Sequence, residues 1–89
     1  MKRNVLIIGA GGVAHVVAHK CAQSNALLGD IHIASRTLAS CERIIASIGE
    51  KNSAQQQGLF RAHALDALDI AATARLIRQT GSRIVINVG

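Results

Sequence analysis

Residues 5–14 run Val5-Leu6-Ile7-Ile8-Gly9-Ala10-Gly11-Gly12-Val13-Ala14, an apolar stretch that breaks on glycine and resumes with a different period. Val5–Ile8 is apolar throughout and β-branched except at Leu6, the pattern of a strand covered on both faces. From Val13 onward Ala14, Val17, Ala18 and Cys21 recur at i, i+3, i+4 and i+7, one face of a helix. Gly9 to Gly12 form the turn between them, and Gly9-Ala10-Gly11-Gly12-Val13-Ala14 matches G-x-G-x-x-G/A. Gly9 permits the tight turn out of the strand. Gly11 lets the backbone approach a pyrophosphate, and Ala14 is small enough for helix and strand to pack closely. The N–H groups of the helix start, at Gly12 and Val13, then face the phosphates with the helix dipole behind them. As a bare string the motif is weak, and a glycine-rich turn without a ligand is the plain alternative. Its place after a buried strand and before a helix is the context that a dinucleotide requires.

Ile31-His32-Ile33-Ala34 reads as a second strand after a turn at Gly29-Asp30. A second helix is expected from about Thr37 to Ile48, with Leu38, Cys41, Ile45 and Ile48 buried and Gly49 as its stop. The polar stretch Glu50–Gln57 is expected to be a loop. Leu59–Leu65 reads as a third strand; Arg61 and His63 interrupt it, which places it at a sheet edge. Asp66 is positioned to cap a third helix, with Asp69 in a capping-box-like arrangement. Ile70, Ala74 and Ile77 are expected to face inward, and Gly81 ends that helix. Ile84-Val85-Ile86 is a fourth, strongly apolar strand. The order βαβαβαβ with right-handed crossovers implies an α/β, Rossmann-type parallel sheet, strand order 3-2-1-4, with helices on both faces. Residues 1–89 are read as one nucleotide-binding half-domain.

The end of the second strand bears on which dinucleotide fits. NAD-binding units place Asp or Glu there for the ribose 2′-OH. This chain has Ser35-Arg36-Thr37. A carboxylate would repel a 2′-phosphate, whereas a hydroxyl donates to it and a guanidinium pairs with it or stacks on adenine. NADP(H) is therefore favoured over NAD(H). The plain alternative makes Arg36 a surface cation and Thr37 a helix cap; Thr37 can serve both roles. Asp66 lies where the adenine amino group should fall, and helix capping explains it equally well. Val88 and Gly89 end the fourth strand beside the glycine loop, where small residues let a cofactor pass close to the backbone. Asn87 either bonds a loop or cofactor group or satisfies local backbone. His15 and His19 share one helix face at a spacing that can hold a metal, but no third ligand accompanies them and a solvated flank is the simpler reading.

The chain has 89 residues, 49% hydrophobic and 17% charged, which is a globular composition. Its formal charge of +5 invites a nucleic-acid reading. The ten Lys and Arg residues are scattered, however, and the one aromatic, Phe60, offers no base-stacking platform. Cys21 and Cys41 sit in apolar helical patterns and read as buried small hydrophobes. No apolar run reaches membrane-spanning length, and none resembles a secretory leader. A reducing cytoplasm fits these features.

Three pieces of the chain together resemble the saccharopine dehydrogenase-like reductases: Asn4–Ala14, Ile33-Ala34-Ser35-Arg36-Thr37 and Ile84-Val85-Ile86-Asn87-Val88-Gly89. The glycine motif is shared by many reductases, while the Ser-Arg-Thr and Asn-Val-Gly pieces are more selective. The resemblance implies an NADPH-dependent reductive condensation, in which aspartate β-semialdehyde joins a diamine through an imine that hydride then reduces. It also implies that such enzymes continue into a substrate domain with no counterpart here. These residues alone are thus expected to bind cofactor, not small-molecule substrate, and not to catalyse. The apolar fourth strand, with no proline or central charge, is expected to pair two chains edge to edge or face to face. Two other readings compete: another NADP-dependent reductase, such as a shikimate dehydrogenase-like enzyme, and a ligand-sensing Rossmann module of potassium transport systems. The sensors usually keep an acid after the second strand, as do methyltransferases, and it is missing here.

Overall fold

The computed structural model describes residues 3–23, 28–51 and 60–89. They form β1 (Arg3–Ile8), α1 (Gly12–Gln23), β2 (Leu28–Ser35), α2 (Leu38–Lys51), β3 (Phe60–Ala64), α3 (Ile70–Thr80) and β4 (Ser82–Asn87). The four strands make one sheet in the order β3-β2-β1-β4, with every neighbouring pair parallel. This is the expected Rossmann-type order, with β3 at one edge and β4 at the other.

The alternation of side chains along β1 and β2 explains the layers. Val5, Ile7, Ile31 and Ile33 point to the face covered by α1 and α2, where they meet Ala14, Ala18, Cys41, Ile44 and Ile48. Leu6, Ile8 and Ala34 point to the other face and meet Leu76 of α3 and Leu65. Each fully buried branched side chain contributes about 1.5–3 kcal/mol relative to exposure. Both cysteines are free and buried in this packing.

Several local expectations are corrected. Gly29 and Asp30 do not form a turn; they are part of β2, which starts at Leu28. Asn4 is the reason: its Oδ1 accepts from the Asp30 N–H at 2.8 Å, and its Nδ2 donates to the Thr80 carbonyl at 2.8 Å. One side chain thus ties the starts of β1 and β2 to the end of α3. Gly49 does not stop α2, which continues to Lys51; a glycine near a helix end costs only about 1 kcal/mol relative to alanine. On α2 the buried stripe is Cys41, Ile44 and Ile48, with Ile45 half-buried, while Leu38 in the first turn is exposed. Beyond Lys51, the expected polar loop lies outside the described residues, as does Leu59.

The start of α3 also differs. Asp69, not Asp66, is its N-cap, accepting from the Ala72 N–H at 3.0 Å. Asp66 instead accepts from the Leu68 N–H at 3.0 Å and shapes the connecting turn. With that start, Leu76 and Thr80 are buried, Ala72 and Ile77 pack beside them, and Ile70 is 82% exposed rather than inward-facing. Gly81 ends the helix as expected, in a left-handed conformation.

Candidate dinucleotide site

The site lies at the carboxyl ends of β1, β2 and β4, where a parallel sheet with this strand order opens a crevice. Its floor is knitted by backbone bonds. The Gly9 N–H donates to the Ala34 carbonyl at 2.8 Å, and the Val88 N–H donates to the Ile8 carbonyl at 2.9 Å. Gly9 has φ of +121°, and a Cβ there would stand 2.9 Å from the Gly89 nitrogen and 3.1 Å from the Val88 carbonyl carbon. The protein itself therefore requires glycine at position 9.

Gly11 and Gly12 differ in kind. Both are exposed, neither has a positive φ, and a Cβ on either would meet nothing within 4 Å. The fold leaves this space open, which is what close approach of a phosphate needs. The first helical bond of α1 runs from the His15 N–H to the Gly11 carbonyl at 3.0 Å. The N–H groups of Gly12, Val13 and Ala14 precede it and have no partner within the helix. No acidic residue stands in the first turn of α1, so the positive end of the helix is not neutralised there. Ala14 is fully buried and lets α1 pack closely on β1 and β2. Val13 is exposed beside the loop.

At the end of β2, Ser35 is half-buried and engaged with its own loop. Its hydroxyl donates to the Thr37 carbonyl at 2.9 Å and accepts from the Thr37 N–H at 3.3 Å. Arg36 is exposed and reaches to 3.9 Å from the Asp66 carboxylate, which is also exposed. Such a pair is worth about 0–1 kcal/mol and yields readily to a dianion. The Thr37 carbonyl accepts the first turn bond of α2 from the Ser40 N–H at 3.1 Å, while its hydroxyl makes no hydrogen bond among the described residues.

Two clefts flank the glycine loop. One, of about 390 Å³, is lined by Gly9, Ser35, Arg36, Leu68, Asn87 and Gly89, which brings the ends of three strands to the loop before α3. Asn87 satisfies local backbone there, its Oδ1 accepting from the Gly89 N–H at 3.2 Å. The other cleft, of about 460 Å³, lies between Ala10-Gly11-Gly12 and α2, and is lined by His15, Ser40 and Arg43. Sequence reasoning missed Leu68, Ser40 and Arg43. The last two stand three apart on α2, and that helical spacing was the available signal. It also missed a pair on the sheet's other face, where His32 Nδ1 lies 2.8 Å from His63 Nε2. Burial holds both imidazoles below their ordinary value of 6.5. His15 and His19 stack at 4.4 Å, and among the described residues no group of side chains could hold a metal ion. Nor is any described helix long and apolar enough to cross a membrane.

The sheet order, the open glycines and the unneutralised helix start define a dinucleotide-binding domain of the Rossmann type. Comparison with known proteins narrows the class. The family described as the saccharopine dehydrogenase NADP binding domain matches residues 5–89, and the chain belongs to it. Its cofactor is accordingly NADP(H). The chain is 49% identical over 86 residues to carboxynorspermidine synthase of Vibrio alginolyticus, covering 96% of this chain and 21% of that protein. It is 43% identical over 84 residues to carboxyaminopropylagmatine dehydrogenase of Synechocystis, covering 94% and 19%. Saccharopine dehydrogenase (L-Glu forming) from Saccharomyces cerevisiae, in its apo histidine-tagged structure, shares the fold with a TM-score of 0.70 and 26% identity, over 98% of this chain and 16% of that one. The chain thus spans about a fifth of the length of the curated relatives it matches.

Proposed function

We propose that these residues form the NADPH-binding part of a reductase of the carboxynorspermidine dehydrogenase type. In that reading the whole protein joins aspartate β-semialdehyde to a diamine through an imine and reduces it to a carboxylated polyamine. When bound, the cofactor supplies the hydride. The chain's own contribution is to hold it: Gly11, Gly12 and Val13 at the pyrophosphate, Arg36 and Thr37 at the 2′-phosphate, Asp66 and Leu68 toward the adenine, and Val88 with Gly89 beside the loop. Ser35 holds the Arg36–Thr37 turn in shape. The similarity to relatives named for carboxynorspermidine and carboxyaminopropylagmatine supports the reaction class.

The observation that carries the cofactor assignment is the end of β2. An exposed cation, paired only loosely with Asp66, and a threonine hydroxyl stand there, at the mouth of the glycine loop, in place of the acid that a ribose 2′-OH requires. Calorimetric titration of NADPH and NADH tests it. NADPH should bind more tightly, and Arg36→Ala should remove about 1–3 kcal/mol of that preference, the range for a charged hydrogen-bonded partner. Equal affinity for both cofactors in the unaltered protein would overturn the assignment. The reaction itself is tested in the full-length protein by following NADPH oxidation with aspartate semialdehyde and a diamine; lack of turnover with any diamine would refute it.

A further inference from the structure

The cleft on the α2 side of the glycine loop holds a cation that the reading above does not use. Arg43 sits in the second turn of α2, and its Nη2 donates to the Ser40 Oγ at 3.0 Å. That bond turns the guanidinium back toward the amino end of α2, over the cleft that Ala10, Gly11 and Gly12 line from the opposite wall. No residue lining this cleft is acidic, and the first turn of α2 holds no acid either. Among the described residues Arg43 has no carboxylate partner. One of its five N–H groups is used by Ser40, and the rest are available to an anion.

We propose that Arg43, oriented by Ser40, is a second cation for the 2′-phosphate, acting from the α2 side while Arg36 acts from the adenine side. This rests on the NADP(H) site described above and adds a specificity-determining residue to it. The chain runs Arg36-Thr37 directly into the first turn of α2, so Thr37 stands in the chain between Arg36, which lines one cleft, and Ser40 and Arg43, which line the other. A dianion between two guanidinium groups is held by charge-assisted, forked hydrogen bonds that a 2′-hydroxyl does not replace. The positive end of the α2 dipole adds to the same field. The competing role for Arg43 is the pyrophosphate, because the same cleft adjoins Gly11 and Gly12.

Paired nucleotides separate the two roles. Adenosine 2′,5′-diphosphate and adenosine 5′-diphosphate differ in the 2′-phosphate, as do NADPH and NADH. Affinities for all four are measured with the full chain and its Arg43→Ala and Arg43→Lys variants. Arg43 is exposed, and thermal melts should show both variants folded. Arg43→Ala should weaken NADPH and the 2′,5′-diphosphate about 5- to 50-fold while changing NADH and 5′-diphosphate less than about 2-fold. Arg43→Lys should recover part of the loss, since it keeps the charge but not the fork. An equal loss on all four ligands would assign Arg43 to the pyrophosphate and overturn the proposal, as would no change on any. Arg36→Ala is the control for the underlying site. If it leaves the preference intact while Arg43→Ala abolishes it, the assignment of Arg36 falls and that of Arg43 stands. If the unaltered chain does not distinguish the two diphosphates, both fall.

Discussion

Replacing Gly9 with alanine should separate what the glycine loop does for the fold from what it does for the ligand. At φ of +121° an L-residue is strained by about 1–3 kcal/mol. The added methyl would stand 2.9 Å from the Gly89 nitrogen and 3.0 Å from its Cα, both backbone atoms that no rotamer change can move aside. Relief means pushing the end of β4 away from β1, at the expense of the Val88-to-Ile8 hydrogen bond, worth about 0.5–1.5 kcal/mol net. The sum is a destabilisation of about 1.5–4.5 kcal/mol, a large share of the roughly 5–15 kcal/mol available to a domain. Since about 1 kcal/mol shifts the midpoint of a domain this small by about 4–8 °C, the melting temperature should fall by at least about 6 °C. The chain has no Trp or Tyr, so far-UV circular dichroism is the appropriate probe. Gly11→Ala is the matched comparison. Its methyl meets nothing and its φ is unremarkable, so stability should stay within about 0.5 kcal/mol while cofactor affinity drops. A Gly9→Ala melt indistinguishable from the unaltered chain, or an equal loss of stability from Gly11→Ala, would refute the division of roles.

Two further outcomes are expected. His32 and His63 have folded pKa values depressed chiefly by burial, with Asp30 and Arg61 acting on His32 in opposite senses. The unfolded chain therefore takes up protons near the ordinary value of 6.5 before the folded chain does, and stability present above that pH is lost as pH falls through and below it. Urea titrations at pH 5.5 and 7.5 should show this, with a smaller pH dependence in His63→Leu; a pH-independent midpoint in the unaltered chain would contradict it. At the other edge, Val85 of β4 is exposed, and two copies of the 89-residue chain should pair along this strand. Light scattering over a range of concentrations, with Val85→Lys as the weakened variant, reads this out. A monomer at every concentration would show that the edge does not pair.

The sheet order and the glycine loop were legible because both rest on local pattern. Four apolar runs separated by helical spacing leave few parallel arrangements, and a glycine turn between strand and helix has few uses. The absence of an acid after β2 was equally plain in Ser35-Arg36-Thr37. Helix boundaries were less so. Asp66 and Asp69 are both competent caps, and the packing of Leu76, Ala72 and Ile77 against the sheet goes with the later one. Gly49 looked like a stop, yet burial of Ile48 carries α2 past it.

What the sequence by itself determined is the βαβαβαβ order, the central strands, the glycine turn at positions 9 to 12, and the basic, hydroxyl-bearing end of β2. Tertiary structure alone decided that Gly9 is required by the backbone of Gly89, that Asn4 links two strands to α3, that His32 meets His63, and that Arg43 faces the glycine loop. The physical reason is range. Propensity and periodicity act over a few residues and show directly in the sequence. The contacts of these four residues depend on register and helix rotation between segments 26 to 80 positions apart, which are fixed only when the core closes.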